Sequence, residues 1–427
     1  ITFPVDFQEM EVKKRQRSKR NIPHHTSHTE AGGAMLADPD DLERAAQVLN
    51  EGKKVAILAG RGALRATAEL EQTAEILGAP IVKALLGRAA VTDECVYTTG
   101  TIGLLGTKPS QEAMEACDTL LMVGTSFPYL EYLPKPGDAK GVQIELDPKR
   151  IGLRFPVEVG LVGDSSRVLR ELLPKLKRKE NRSFLDKAQK GMEDWHKVML
   201  GRATRQDVPM KPQVIAHELG QRLRDDAIVS CDSGTIATWW ARHIPVKAGQ
   251  IHAVSGNLAT MANGLPYTIA AQIAHPERQC VAFVGDGGFS MLMAEFATAV
   301  KYQLPIKVVI VKNGTLGQIK WEQMVFLGNP EYGVDLHPID FAKVAHACGG
   351  MGLTVEDPAD CGRIVEEFLQ TPGPAILQAV VDPLEPPLPA KVTADQALKF
   401  SESLLRGEPN RGKIALTALS DKVREMV

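Results

Sequence analysis

The sequence predicts an α/β protein of two doubly wound, mainly parallel-sheet domains. From about residue 53 onward, short apolar runs alternate with helix-period segments, the pattern of parallel strands joined by crossover helices. At 427 residues the chain is longer than one hydrophobic core normally serves. The stretch VGDGGFSM, starting at Val284, sets an acidic residue between glycines where an apolar run stops and a helix begins. Open α/β sheets bind their ligands at such junctions.

The elements follow in order. ITFPVD reads as a strand already under way, so the chain is expected to continue a longer polypeptide, and the basic KKRQRSKRNIPHH reads as an extended linker. Residues 1–35 are therefore read as the exit of a preceding domain. The first doubly wound domain, 36–175, holds KVAILAG (strand), ALRATAELEQTAEILG (helix ending at Gly78), PIVKAL, TLLMVG, VQIELD and VEVGLVGD. A charged stretch, KLKRKENRSFLDKAQKGMEDWHKVML, predicts a solvated linker helix within 176–211. The second domain, 212–385, has strands AIVSCD, VAFVGD, IKVVIVKN and AILQAVVD, and helices MLMAEFATAVKYQ and IDFAKVAHACG. A tail, 386–427, ends in the helical KIALTALSDKVREMV.

Composition narrows the function. A formal net charge of −2 offers no broad attraction for nucleic acid, and none is expected as a partner. The six cysteines are scattered without CxxC or zinc-like spacing and read as small buried residues of a reducing compartment. No apolar run approaches the roughly 18 residues that would span a bilayer, and no signal peptide is visible, so the expected location is the cytoplasm.

Asp286 ends the strand VAFV, and Asn313 ends the next strand after one intervening helix. A right-handed βαβ unit opens both strand ends on one sheet edge, so the two side chains should meet. A carboxylate, an amide oxygen and a backbone carbonyl suit a hard divalent ion, Mg²⁺ or Ca²⁺, completed by phosphate and water. Gly285, Gly287 and Gly288 let the backbone approach a diphosphate, and the helix after Ser290 adds its dipole. The alternative is a glycine-rich turn with Asp286 capping that helix.

GDGGFSMLMAEFATAVKYQLPIKVVIVKNG resembles the signature of thiamine-diphosphate enzymes, which opens on GDG and closes on an asparagine pair about thirty residues later. The resemblance implies Asp286, Asn313 and the carbonyl of Thr315 as metal ligands, with Lys312 standing where the family has its first asparagine. CDSGTIATWW resembles the segment that closes over the diphosphate, implying Asp232, Gly234 and Thr235 as contacts. GNLATMANGLP resembles the segment facing the aminopyrimidine, implying Ala259, Thr260 and Met261, with Met261 holding the cofactor bent; gap-filling is the other reading of a methionine there. Leu316, Gly317, Gln318 and Ile319 complete the implied cofactor contacts. The bend would bring the pyrimidine amino group to the thiazolium C2, giving deprotonation at high effective molarity, and the ring would accept electrons as CO₂ leaves a 2-oxo acid.

Within this family the resemblance runs to bacterial pyruvate oxidase and the quinone-linked pyruvate dehydrogenase. It is carried by TGTIGLLGT, DTLLMVGTSFPY, IELDPKRIG, GDSSRVLRELLP and PAKVTADQALKFSESLLRG. It implies FAD on the central domain, at Ile102, Gly103, Leu104 and Leu105, at Gly124, Thr125, Ser126, Phe127 and Pro128, and at Glu145 or Asp147 on the adenosine ribose; relatives also keep this fold with ADP or with nothing bound. Gln318 departs from the aromatic residue that quinone-linked relatives carry after Leu316-Gly317. The implied activity is oxidative decarboxylation of pyruvate, with FAD passing electrons to quinone or oxygen. Acetolactate-synthase-like carboligation and a noncatalytic cofactor-binding module are the alternatives. The family's activating glutamate belongs to a domain of which only ITFPVDFQ finds a counterpart here, so no residue is assigned that role. The resemblance also implies a homodimer or homotetramer. In the tail, Ile414, Ala418, Leu419, Val423 and Met426 share a helical face that would dock on the protein's own body or lie on the inner face of the cell membrane.

Overall fold

A computed structural model of the chain describes residues 2–8, 10–11, 37–387 and 393–424. The chain divides into two units, residues 1–34 and 35–427. In the first, Val5–Gln8 form one helical turn (α1), and the expected strand ITFPVD is not formed. Pro4 ahead of the turn and Asp6 within it favour a helix N-terminus, and Phe7 N donates to Pro4 O at 3.1 Å. The expected linker KKRQRSKRNIPHH lies outside the described residues.

The second unit contains two six-stranded parallel sheets. The first sheet comprises β1 (Val55–Ala59), β2 (Ile81–Lys83), β3 (Thr98–Thr101), β4 (Thr119–Val123), β5 (Lys140–Glu145) and β6 (Val159–Val162). They lie in the order β3-β2-β1-β4-β5-β6, the order of dinucleotide-binding folds. Its helices are α2 (Pro39–Glu51), α3 (Thr67–Leu77), α4 (Lys108–Ala116) and α5 (Ser165–Leu172). The glycine expected to stop α3 does so: Gly78 takes φ +56°. Both faces of the sheet are covered, so β1 and β4 are buried throughout and read as unbroken apolar runs.

Helix α6 (Ser183–Ala203) follows, but it is not solvated all round. Leu185, Ala188, Met192, Met199 and Ala203 recur at helical spacing and are buried.

The second sheet comprises β7 (Ile228–Cys231), β8 (Ile251–Val254), β9 (Cys280–Gly285), β10 (Lys307–Lys312), β11 (Met351–Val355) and β12 (Ala375–Val380), ordered β11-β12-β10-β9-β7-β8. Its helices are α7 (Pro212–Arg222), α8 (Thr235–His243), α9 (Gly264–Ala274), α10 (Asp286–Leu292), α11 (Phe296–Lys301), α12 (Gly317–Val325), α13 (Phe341–Ala347) and α14 (Pro358–Gln370). The single helix expected over 291–303 is two. The glycine-rich turn is itself helical from Asp286, and the helix breaks at Leu292, where φ reaches −132°. The tail carries α15 (Ala394–Leu405) and α16 (Arg411–Arg424). Ile414 on α16 is buried against Trp321, Met324 and Leu384, so that part of the tail docks on the protein body; Met426 lies outside the described residues. Among the described residues no helix is long and apolar enough to cross a membrane. All six cysteines are free thiols; four are buried, and Cys95 and Cys348 are half-buried.

Candidate cofactor cleft

Strand order creates the site. From β7 the chain runs to β8 on one side, then crosses back to β9 on the other, so loops leaving β7 and β9 diverge and open a cleft between them. The cleft has a volume of about 200 Å³. Parallel pairing of β9 with β10, Val311 opposite Gly285, brings Asp286 and Asn313 to the same edge, and both line this cleft with Thr315.

Asp286 is buried. Its Oδ1 accepts from Gly287 N at 3.1 Å and its Oδ2 from Gly314 N at 2.7 Å. Burial pushes its carboxyl above the usual range, against the lowering effect of those two N–H groups. Each carboxylate oxygen has two acceptor positions, so one N–H apiece leaves capacity towards the cleft. Asn313 Oδ1 takes Thr315 N at 3.1 Å, and Gly314 between them adopts φ +69°. Lys312 points the other way, as strand alternation requires: its Nζ donates to Ile339 O at 2.6 Å.

The glycines form a cradle. An added Cβ on Gly288 would lie 2.1 Å from Asp232 Oδ2, and one on Gly287 would lie 2.9 Å from Leu316 Cδ2 and 3.4 Å from Met261 Cε. Gly234, Gly285 and Gly314 face open space instead. Asp232 Oδ1 accepts from Gly264 N at 2.7 Å, whereas its Oδ2 is buried without a hydrogen-bond partner. Burial raises the Asp232 carboxyl to about 6. Met261 sits on a loop where Ala259 (φ +50°) and Ala262 (φ +66°) both take the left-handed conformation, a strain that non-glycine residues accept mainly at functional sites.

Of the cofactor contacts expected from sequence, Asp232, Gly234, Thr235, Ala259, Met261, Gly285, Asp286, Gly287, Gly288, Asn313, Thr315, Leu316, Gly317, Gln318 and Ile319 all line the cleft. Thr260 does not: it is exposed, with Oγ1 turned to Met261 O at 3.0 Å. Sequence reasoning missed Ser233 on the loop after β7, Ile236 and Trp239, which α8 brings into the wall, and Val381 and Asp382 after β12. Helices α8 and α12 both direct their N-termini at the cleft, and no side chain caps either. Free N–H groups there suit an anion. The donor set of one carboxylate, one amide and one carbonyl suits a hard divalent cation held jointly with that anion; among the described residues no cluster of three His, Cys, Asp or Glu side chains forms a rival metal site.

The residues implied as flavin contacts lie at the C-terminal ends of β3, β4 and β5 on one edge of the first sheet. Ile102 and Phe127 are buried, and Gly103 (φ +103°) faces the Phe127 ring. The carbonyls of Leu104 and Leu105 accept from Arg242 of α8, at 3.1 and 3.3 Å. Thr125 Oγ1 accepts from Phe127 N at 3.2 Å, bending the Ser126–Pro128 segment. Glu145 Oε1 takes Leu146 N at 2.9 Å, and Asp147 Oδ1 takes Lys149 N at 3.1 Å. The same edge also holds Gly60 and Gly62, after β1. A Cβ on Gly60 would lie 2.4 Å from Gly124 O, so the loops after β1 and β4 touch across the switch point of this sheet. The signal was a GRG directly after the strand VAILA.

A glycine-cradled cleft with two uncapped helix N-termini, on the second of two parallel sheets, is the arrangement of an α/β enzyme class that binds a diphosphate cofactor. Residues 232–379 match the thiamine pyrophosphate enzyme C-terminal TPP binding domain, and residues 42–172 match the central domain of the same enzymes. The chain is 41% identical over 404 residues to YdaP of Bacillus subtilis, provisionally named a thiamine pyrophosphate-containing protein, covering 95% of this chain and 70% of that one. It is 29% identical to the pyruvate oxidase of Lactiplantibacillus plantarum, over 85% of this chain and 61% of the relative. It is 28% identical to the acetolactate synthase isozyme 3 large subunit of Escherichia coli, over 77% of this chain and 59% of the relative. The chain belongs to the thiamine pyrophosphate enzyme family.

Proposed function

We propose that this chain serves a thiamine-diphosphate- and Mg²⁺-dependent oxidative decarboxylation of a 2-oxo acid, pyruvate to acetate and CO₂, with FAD on the first sheet passing electrons to quinone or oxygen. The convergence of Asp286, Asn313 and Thr315 at two paired strand ends carries the reading. Those three would hold Mg²⁺, and the N-terminal N–H groups of α8 and α12 would take diphosphate oxygens. Bound thiamine diphosphate supplies a carbon nucleophile and an electron sink for decarboxylation. Gly287 and Gly288 keep side chains out of the cradle, so the backbone can approach the diphosphate. Met261 and Leu316, packed around Gly287, exclude water from that side. On the first sheet Glu145 or Asp147 would take the adenosine ribose, and FAD would supply two-electron acceptance. The working protein is a homodimer or homotetramer of the cytoplasm, touching the inner face of the membrane if quinone is the acceptor.

Acetolactate-synthase-like carboligation is the second reading, favoured by the similar identity to an acetolactate synthase and a pyruvate oxidase. Incubating the full-length protein with pyruvate, thiamine diphosphate and Mg²⁺ separates the two. Flavin bleaching with acetate supports oxidation; acetolactate without bleaching supports carboligation; no loss of pyruvate leaves a noncatalytic cofactor-binding module.

A further inference from the structure

We propose that Arg88, on the first sheet's side, is a positioning residue for the cofactor cleft, acting through helix α8. This rests on the reading that the cleft takes thiamine diphosphate. The nine-residue α8 is a rod whose N-terminal residues Thr235 and Ile236 line the cleft. Its other end is gripped from outside its own sheet: Arg88 Nη1 donates to Trp240 O at 3.0 Å and Nη2 to Ile244 O, while the guanidinium lies 4.1 Å from the Trp240 ring centroid. Arg88 is only 2% exposed.

The grip is itself braced. Asp93 Oδ2 lies 3.9 Å from Arg88 and accepts from Val246 N at 2.8 Å, just past α8, and Asp93 Oδ1 is ion-paired with the buried Lys83. Leu86, two residues before Arg88, packs so closely on Gly256 that a Cβ there would sit 2.4 Å from Leu86 Cδ2. Gly256 opens the loop that runs to Met261. Residues 83–93 thus abut both α8 and the root of the Met261 loop, two walls of one cleft.

A cation on the terminal carbonyls complements the helix dipole whose positive end faces the diphosphate. The planar guanidinium reaches two carbonyls and stacks on an indole at once, so it fixes direction as well as charge. An ammonium keeps the charge but cannot reproduce that fork. Sub-ångström misplacement of N–H donors is enough to weaken an oriented site.

Calorimetric titration of thiamine diphosphate with Mg²⁺ onto wild type, Arg88→Lys and Arg88→Met tests this. Lys307→Met serves as control: Lys307 is buried at the opposite end of β10, where its Nζ donates to Thr371 O and Gly373 O, both at 2.6 Å. Arg88→Lys should raise Kd about tenfold and Arg88→Met further, whereas Lys307→Met should lower Tm and leave Kd unchanged. Hydrogen exchange supplies a readout without cofactor: α8 amides should lose protection in Arg88→Lys while β9 amides keep theirs. An unchanged Kd and unchanged α8 exchange in folded Arg88→Lys would make Arg88 a plain structural tie and overturn the proposal. Failure of wild type to bind would instead overturn the reading of the cleft, and this proposal with it.

Discussion

Asp286 Oδ2 accepts a hydrogen bond from the backbone N–H of Gly314 at 2.7 Å, so the carboxylate that faces the cleft also ties the end of β9 to the turn after β10. The group that should hold the metal therefore stabilises its own site. Asp286→Ala leaves the N–H groups of Gly287 and Gly314 without this acceptor, and the apo protein should lose about 1–3 kcal/mol, read from denaturant melts. A variant as stable as wild type would mean that the tie contributes nothing.

Two glycines of the cleft should respond differently to alanine. At Gly288 the new methyl meets Asp232 Oδ2, and relief requires moving a buried carboxylate, at a cost of about 1–3 kcal/mol. At Gly314 the methyl enters open space, and only the left-handed φ is penalised, by about 1 kcal/mol. Thermal melts should rank Gly288→Ala below Gly314→Ala, and adding Asp232→Ala to Gly288→Ala should recover part of the loss. The reverse order would contradict the cradle geometry.

Asp232 predicts a pH dependence. Burial raises its native carboxyl to about 6, above the ordinary aspartate value near 4. Between those values the native state binds more protons than the unfolded chain, so unfolding free energy falls as pH climbs through about 4 to 6 and levels off above. Asp232→Asn removes that slope and should stabilise the apo protein at pH 7 by up to about 3 kcal/mol relative to pH 4. The difference between variant and wild-type melts across this window is the measurement; parallel curves would show that Asp232 titrates normally.

The first sheet carries its own test. A Cβ on Gly62 would lie 2.8 Å from Gly124 Cα, so Gly62→Ala should push apart the loops after β1 and β4. If FAD lies across that edge, the purified full-length variant should show less flavin absorbance per protein than wild type while keeping its circular dichroism. Equal occupancy would remove this turn from the flavin site.

What the sequence made legible follows from burial. VAILA, LLMV and VAFV are covered on both faces and read as unbroken apolar runs, and IVSC is equally buried with only Ser230 interrupting it. The strands that escaped notice are all sheet edges: β3, with the polar TTGT, and β8 and β11, partly exposed. Half-covered β8 and β11 need no continuous apolar signal, and β3, though buried, is built of Thr and Gly and carries none. Asp286 and Asn313 were readable because each is a polar residue directly after a buried strand. Trp239 and Asp382 were not, since only the order of the sheet brings the flank of α8 and the end of β12 to the same cleft. The strain at Ala262 has no sequence signature at all, alanine being ordinary in a helix or loop.

The central claim is that Asp286 and Asn313 grip one divalent ion that anchors a diphosphate. Isothermal titration of thiamine diphosphate, with and without Mg²⁺, onto wild type and Asp286→Asn tests it most directly. The account predicts Mg²⁺-dependent binding by wild type and its loss in a folded Asp286→Asn. Equal affinity in the two proteins, or binding indifferent to Mg²⁺, would contradict it.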